Sequence, residues 1–137
     1  MAQLATREPE AIGARLAASN ASPSIANAEC ERLRVIIEQS VAQVFGIALR
    51  DLEGPTRGRA HVALARQIAM YTCHVSCGRS LTDVGRIFGR DRTTVAHACS
   101  LVEDRRDDAL FDHVIELLDR IVRSLIEPRS AFVHHIV

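Results

Sequence analysis

The chain contains no lysine: all 17 of its basic residues are arginine, set against 17 acids. Arginine carries a planar fork that pairs with phosphate or with the two acceptors of guanine. A GC-rich coding sequence produces the same bias, so this absence points only weakly to nucleic acid. No run of about 18 apolar residues occurs, which excludes a spanning helix. Met1 to Arg7 lacks the apolar core of a secretory signal, and a cytoplasmic location is expected. No GxxxxGK[ST] loop is present to cradle ATP, and no HExxH pair to hold a catalytic metal. The four cysteines, Cys30, Cys73, Cys77 and Cys99, form no CxxC pair. Cys73 and Cys77 lie one helical turn apart beside His74, a spacing open to zinc but expected of thiols filling a helical core in a reducing compartment. The six histidines (His61, His74, His97, His113, His134 and His135) are dispersed, and the carboxylates of residues 103–119 alternate with apolar positions as on a solvated helix face. No cofactor, metal site or catalytic set is expected, so the chain reads as a non-enzyme.

What is present is a strongly uneven charge. Residues 1–53 hold five Arg against seven acids, net −2. Residues 57–106 hold nine Arg against four acids, net +5, and residues 107–127 hold two Arg against six acids, net −4. A neutral total thus conceals a cationic middle, and for nucleic-acid binding the distribution outweighs the sum.

The apolar pattern is helical throughout, with no period-two strand and no internal repeat. Residues 1–24, rich in Ala and Ser, read as a mobile tail. From Ile25 the residues Leu33, Ile36, Ile37, Val41, Val44 and Phe45 form one face of a helix ending near Gly46, with Glu29, Arg32, Glu38 and Gln43 on the other side. Ile47–Leu52 reads as a short element capped by Asp51, and residues 54–59 as a Gly, Pro and Arg break. A second long helix is expected from about His61 to Ser76, with Val62, Ala65, Ile68, Ala69, Thr72 and Val75 buried and Gly78 as its stop. A short helix follows, capped by Ser80 with Asp83 three residues on. Its Leu81, Val84, Ile87 and Phe88 share a face, and its internal Gly85 implies close approach to the next helix. Gly89 permits a tight turn. The next helix spans about Arg92–Arg105, capped by Asp91, with Val95, Ala98, Cys99 and Val102 inward and Thr93, Thr94 and His97 outward. The last starts at Asp107 or Asp108 and carries Leu110, Val114, Leu117, Leu118, Ile121 and Leu125 as its apolar stripe, joined in part by Ile115 and Val122. It stops before Pro128, leaving 128–137 as a tail. The fold class is all-α: a compact, Trp-repressor-like bundle of five to six helices over residues 25–127.

Two short helices joined by a tight turn, the second opening with donors and acceptors, form a helix-turn-helix that reads a DNA major groove. Arg92 suits the O6 and N7 of guanine, and Asp91 a cytosine amino group. The methyls of Thr93 and Thr94 suit a thymine methyl, and their hydroxyls phosphate. The first N–H groups of the Ser80 helix suit a phosphate. Arg57 and Arg59, in a Gly-rich loop, suit a minor groove or the DNA backbone. His97 sits at the border of DNA face and core.

These segments, Ala65-Arg66-Gln67-Ile68-Ala69-Met70, Ser80-Leu81 with Val84-Gly85, Phe88-Gly89, and Arg90-Asp91-Arg92-Thr93-Thr94-Val95-Ala96-His97-Ala98, occur in an order and spacing that resembles the C-terminal, DNA-box-binding domain of the bacterial replication initiator DnaA. Val41-Ala42 and Asp51-Leu52 fit the same pattern. The resemblance covers about Leu33–Leu125. It implies backbone contacts from Arg66, Gln67, Leu81 and Thr82, base contacts from Asp91 to Thr94 beside Arg90, and a minor-groove loop around Arg57, Arg59 and His61. The chain departs from the family's Gly-Gly-Arg-Asp-His-[Ser or Thr]-Thr: it has one Gly, and Arg92 replaces His. A shorter turn rotates the reading helix, and Arg92 shifts preference toward guanine. Leu64, Ser100 and Leu101 stand where the family often has basic residues, which implies fewer phosphate contacts.

The expected partner is double-stranded DNA, bound at box-like sites in a bacterial nucleoid to influence replication initiation or transcription. A tail of some 24 residues stands where the initiator carries its ATPase domain, so no ATP is expected. The alternative is a protein-interaction module using the last helix, its DNA motif vestigial; a zinc protein ranks third.

Overall fold

The computed structural model describes residues 23–53 and 60–126. Contacts divide the chain into two units, 1–31 and 32–137. Of the first, residues 23–31 are described and form the opening turns of a helix. Among the described residues there are six α-helices and no strand: α1 (Pro23–Phe45), α2 (Leu49–Glu53), α3 (Ala60–Val75), α4 (Leu81–Phe88), α5 (Arg92–Arg105) and α6 (Ala109–Ile126). The all-α reading with a helix-turn-helix holds. No described helix is long and apolar enough to cross a membrane. The tails expected at 1–24 and 128–137 fall outside the described residues, save that α1 begins at Pro23, a residue whose fixed φ suits a first helical position.

α3 is the central helix of the second unit. Six consecutive residues, Ile68 to Cys73, are buried along with Val62 and Ala65. Its principal partner is α5, and it also meets α4 and α2. From α5 come Val95, Ala98 and Val102, and from α4 Val84, Gly85 and Ile87. α1 adds Leu33, Ile37, Val41 and Ala42, and α6 adds Ile115, Leu118 and Val122. Arg106 closes the C-terminal end of α5. Its Nη1 donates to the Tyr71 hydroxyl (2.9 Å), its Nε to Asp112 (2.6 Å) and its Nη2 to Glu116, while Tyr71 donates to Glu103 (2.5 Å). Glu103 and Arg106 thus meet at one buried α3 tyrosine, and Arg106 in turn holds Asp112 and Glu116 of α6, which ties the far end of α5 to both helices.

Four expectations are corrected. Asp51 is not the cap of α2 but lies in its first turn; its N–H already bonds the carbonyl of Ala48 (3.0 Å), and a carboxylate there complements the helix dipole. Glu38 is buried rather than on the outer side of α1, because Arg34 one turn earlier donates to it at 2.9 Å. Val75 is exposed: it is the last residue of α3, past the buried run that ends at Cys73. On α6, Leu110, Leu117 and Leu125 face out, and Ile115, Leu118 and Val122 face in. The apolar arc of that helix is wider than its neighbours cover, and the core takes only one edge of it.

Candidate nucleic-acid interface

The site is built from two caps and a turn. Ser80 sits in extended geometry and accepts the N–H of Asp83 at 3.1 Å, starting α4. We expect Ser80→Ala to lower unfolding stability by about 1 kcal/mol, the usual worth of such a cap; a chemical denaturation curve that superimposes on wild type would contradict this. α4 ends at Gly89, whose φ of 66° is left-handed and unstrained only for glycine. Arg90 N–H then bonds the Gly85 carbonyl at 2.8 Å, folding the turn back over α4. Here the reason for a mid-helix glycine is plain: a Cβ on Gly85 would stand 2.5 Å from the carbonyl oxygen of Arg90. The expected close approach is present, made by the backbone of the turn itself.

α5 begins after Asp91, whose Oδ1 accepts the N–H of Thr94 at 2.7 Å. Hydrogen bonds from the Thr94 N–H, then the Thr94 hydroxyl, hold this carboxyl below the ordinary aspartate value. A depressed folded-state pKa means that the cap is intact above the ordinary aspartate range and lost as pH falls through the lowered value. We expect the Thr94 amide resonance to titrate at a pH below that of an unperturbed aspartate. An unshifted midpoint, or a titration surviving in Asp91→Asn, would contradict the assignment.

Arg90, Asp91, Arg92, Thr93, Thr94 and His97 are all exposed, while Val95, Ala98 and Val102 on the opposite side are buried. The turn into α5 and the start of that helix therefore present a continuous polar face with two guanidinium groups, those of Arg90 and Arg92. On α4, Thr82 is exposed and Leu81 half-buried. On α3, His61 is exposed, and Arg66 and Gln67 are half-buried. Arg66 donates its Nη2 to the Asp51 carbonyl at 2.5 Å, which joins α3 to α2. Arg57 and Arg59 lie outside the described residues. The sequence reading passed over Arg79 and Arg86, both exposed and flanking or lying on α4. Arg86 pairs with Asp83 at 3.6 Å. Their signal was the cationic middle segment, which does not by itself say which arginines face solvent.

Cys73 is buried, and burial pushes the Cys77 thiol up to about 11. Among the described residues no group of three or more His, Cys, Asp or Glu is placed to hold a metal ion.

Residues 35–102 match the family described as bacterial DnaA protein helix-turn-helix. Over 90 residues the chain is 43% identical to the chromosomal replication initiator protein DnaA of Symbiobacterium thermophilum, an alignment covering 64% of this chain and 19% of that protein. Two solved structures are similar in fold. A DNA replication initiation factor matches with a TM-score of 0.67 and 28% identity, over 88% of this chain and 38% of the other. A replication initiator DnaA bound to AMPPCP and single-stranded DNA matches with a TM-score of 0.64 and 26% identity, over 87% and 37%. The chain thus spans about a fifth of the length of that initiator protein and less than two fifths of either solved chain.

Proposed function

Because residues 35–102 match the bacterial DnaA helix-turn-helix family, we propose that the chain reads duplex DNA at DnaA-box-like sites and so influences replication initiation or transcription beside them. The family makes this region a DNA-binding, non-catalytic domain associated with replication initiation. The finer reading rests on one observation: residues 90–94, the turn into α5 and its first three residues, are exposed and polar, with two arginines against one aspartate, on a helix whose Val95, Ala98 and Val102 are buried in the core. Arg92 and Asp91 lead the base contacts, with Thr93, Thr94 and His97 beside them. Asp91 serves twice, since one of its oxygens already caps the helix. The α4 N-terminus at Leu81 and Thr82, with Gln67, Arg90 and the loop arginines Arg57 and Arg59 near His61, positions the phosphates. Arg66 acts first through α2, so its loss weakens all duplexes alike. The nucleotide and single-stranded DNA seen with the solved initiator belong to that protein, of which this chain spans 37%, and are not carried over.

Gel shifts with a box-bearing and a scrambled duplex at two salt concentrations test the reading. A DNA reader binds the box more tightly and weakens steeply as salt rises. No shift at low salt would leave the protein-interaction reading, for which the exposed leucines of α6 are the supporting observation.

A further inference from the structure

Residues 79–97 carry four arginines, Arg79, Arg86, Arg90 and Arg92, against two aspartates, Asp83 and Asp91. Arg90 and Arg92 belong to the turn into α5 and its start. Arg79 and Arg86 stand outside that turn, one before α4 and one on it, and both are exposed. Arg79 directly precedes the Ser80 cap, and both its backbone groups are engaged. Its N–H donates to the Cys73 carbonyl at 3.3 Å, and its carbonyl accepts from His74 Nδ1 at 2.6 Å. The root of this side chain is thus fixed at the positive end of the α4 dipole. Arg86 follows exposed Thr82 by four residues, about 40° round the helix and about 6 Å along it. Val84, Gly85 and Ile87 are buried on the other side. Arg86 meets Asp83 at 3.6 Å, between side chains 76% and 45% exposed. An ion pair so open to water holds little and gives way to a phosphate.

The rest of α5 offers no comparable charge. After His97 its exposed residues are Ser100, Glu103 and Asp104, with Arg105 only at the last position. Cations able to hold a backbone beside the reading turn therefore come from the α4 side. We infer that Arg79 and Arg86 form a phosphate clamp on α4, gripping the DNA backbone on either side of Thr82 while α5 enters the major groove. Resting on the duplex-binding reading above, this adds two contacts that hold DNA without reading it. Phosphate contacts carry charge but no sequence information, so their mark is a changed salt dependence with unchanged base choice.

Binding of the full chain to box-bearing and scrambled duplexes across a salt series tests this. Arg79→Ala and Arg86→Ala should each make the fall of log affinity with log salt shallower by about 1, and the double variant by about 2. The ratio of box to scrambled affinity should stay at the wild-type value. Arg86→Lys keeps the charge without the fork, and should keep both slope and ratio. Arg105→Ala, at the far end of α5, should leave both unchanged. Arg79 and Arg86 are exposed, so the alanine variants should also keep the wild-type circular dichroism spectrum. A wild-type slope in either alanine variant overturns the inference. So does a fall in the box-to-scrambled ratio, which would make the residue a base reader, or an equal loss of slope in Arg105→Ala, which would make total charge the cause. A wild type that binds neither duplex fails the DNA reading itself and the clamp with it; selective box binding by the wild type, with unaltered slopes in the variants, fails the clamp alone.

Discussion

Gly85→Ala should damage this protein in spite of improving its helix. Alanine gains about 1 kcal/mol over glycine in a helix interior. Against that gain stands a methyl placed 2.5 Å from the Arg90 carbonyl oxygen, well inside contact distance, with Asp91 backbone close behind at 3.6 Å. The obstructing atoms are main chain, so no side-chain rotation relieves the clash. Forcing an extra carbon into packed surroundings costs about 1–3 kcal/mol, which equals or exceeds the helical gain. The turn must lift, and Arg90 to Thr94 move with it. We therefore expect lower thermal stability and a larger loss in box affinity than in non-specific affinity, because only base reading depends on the angle of α5. A Gly85→Ala protein as stable as wild type, with unchanged box affinity, would show that the turn does not set the reading helix.

Arg92→Ala should act in the opposite way, sparing stability and removing selectivity. Arg92 is exposed at the first position of α5, and its side chain supports nothing in the core. A forked contact to a guanine is worth about 1–3 kcal/mol of discrimination, roughly 5- to 150-fold between right and wrong base. Its removal should lower box affinity by that factor while leaving scrambled duplex within the small loss expected from one missing charge. Arg66→Ala provides the contrast. Because Arg66 fastens α3 to α2 through the Asp51 carbonyl, its loss should weaken every duplex alike. Equal losses on both duplexes for both variants would reject this division of labour.

Much of this site was legible because its signals are local. Ser80 and Asp91 are caps that act within three residues, and Gly89 answers to its own φ. Gly85 implied a close neighbour, although not that the neighbour would be the carbonyl of Arg90. The inward faces of α3 and α5 follow from helical spacing. What escaped was set by residues distant in sequence or by competing partners. Glu38 looked solvated, yet it is buried against Arg34, and the sequence around Arg66 does not announce its bond to the Asp51 carbonyl of α2. α6 carries more apolar surface than the core can take, so periodicity alone could not say which edge would be covered; it is Ile115, Leu118 and Val122, and the leucines remain outside.

The most direct test is selection of bound duplexes from a random pool, run in parallel with wild type and Arg92→Ala. The account predicts that wild type recovers a single box-like motif, and that the variant recovers the same motif with a guanine preference erased at one position. Recovery of no motif by wild type, or of an identical motif by the variant, would contradict base reading by the first turn of α5.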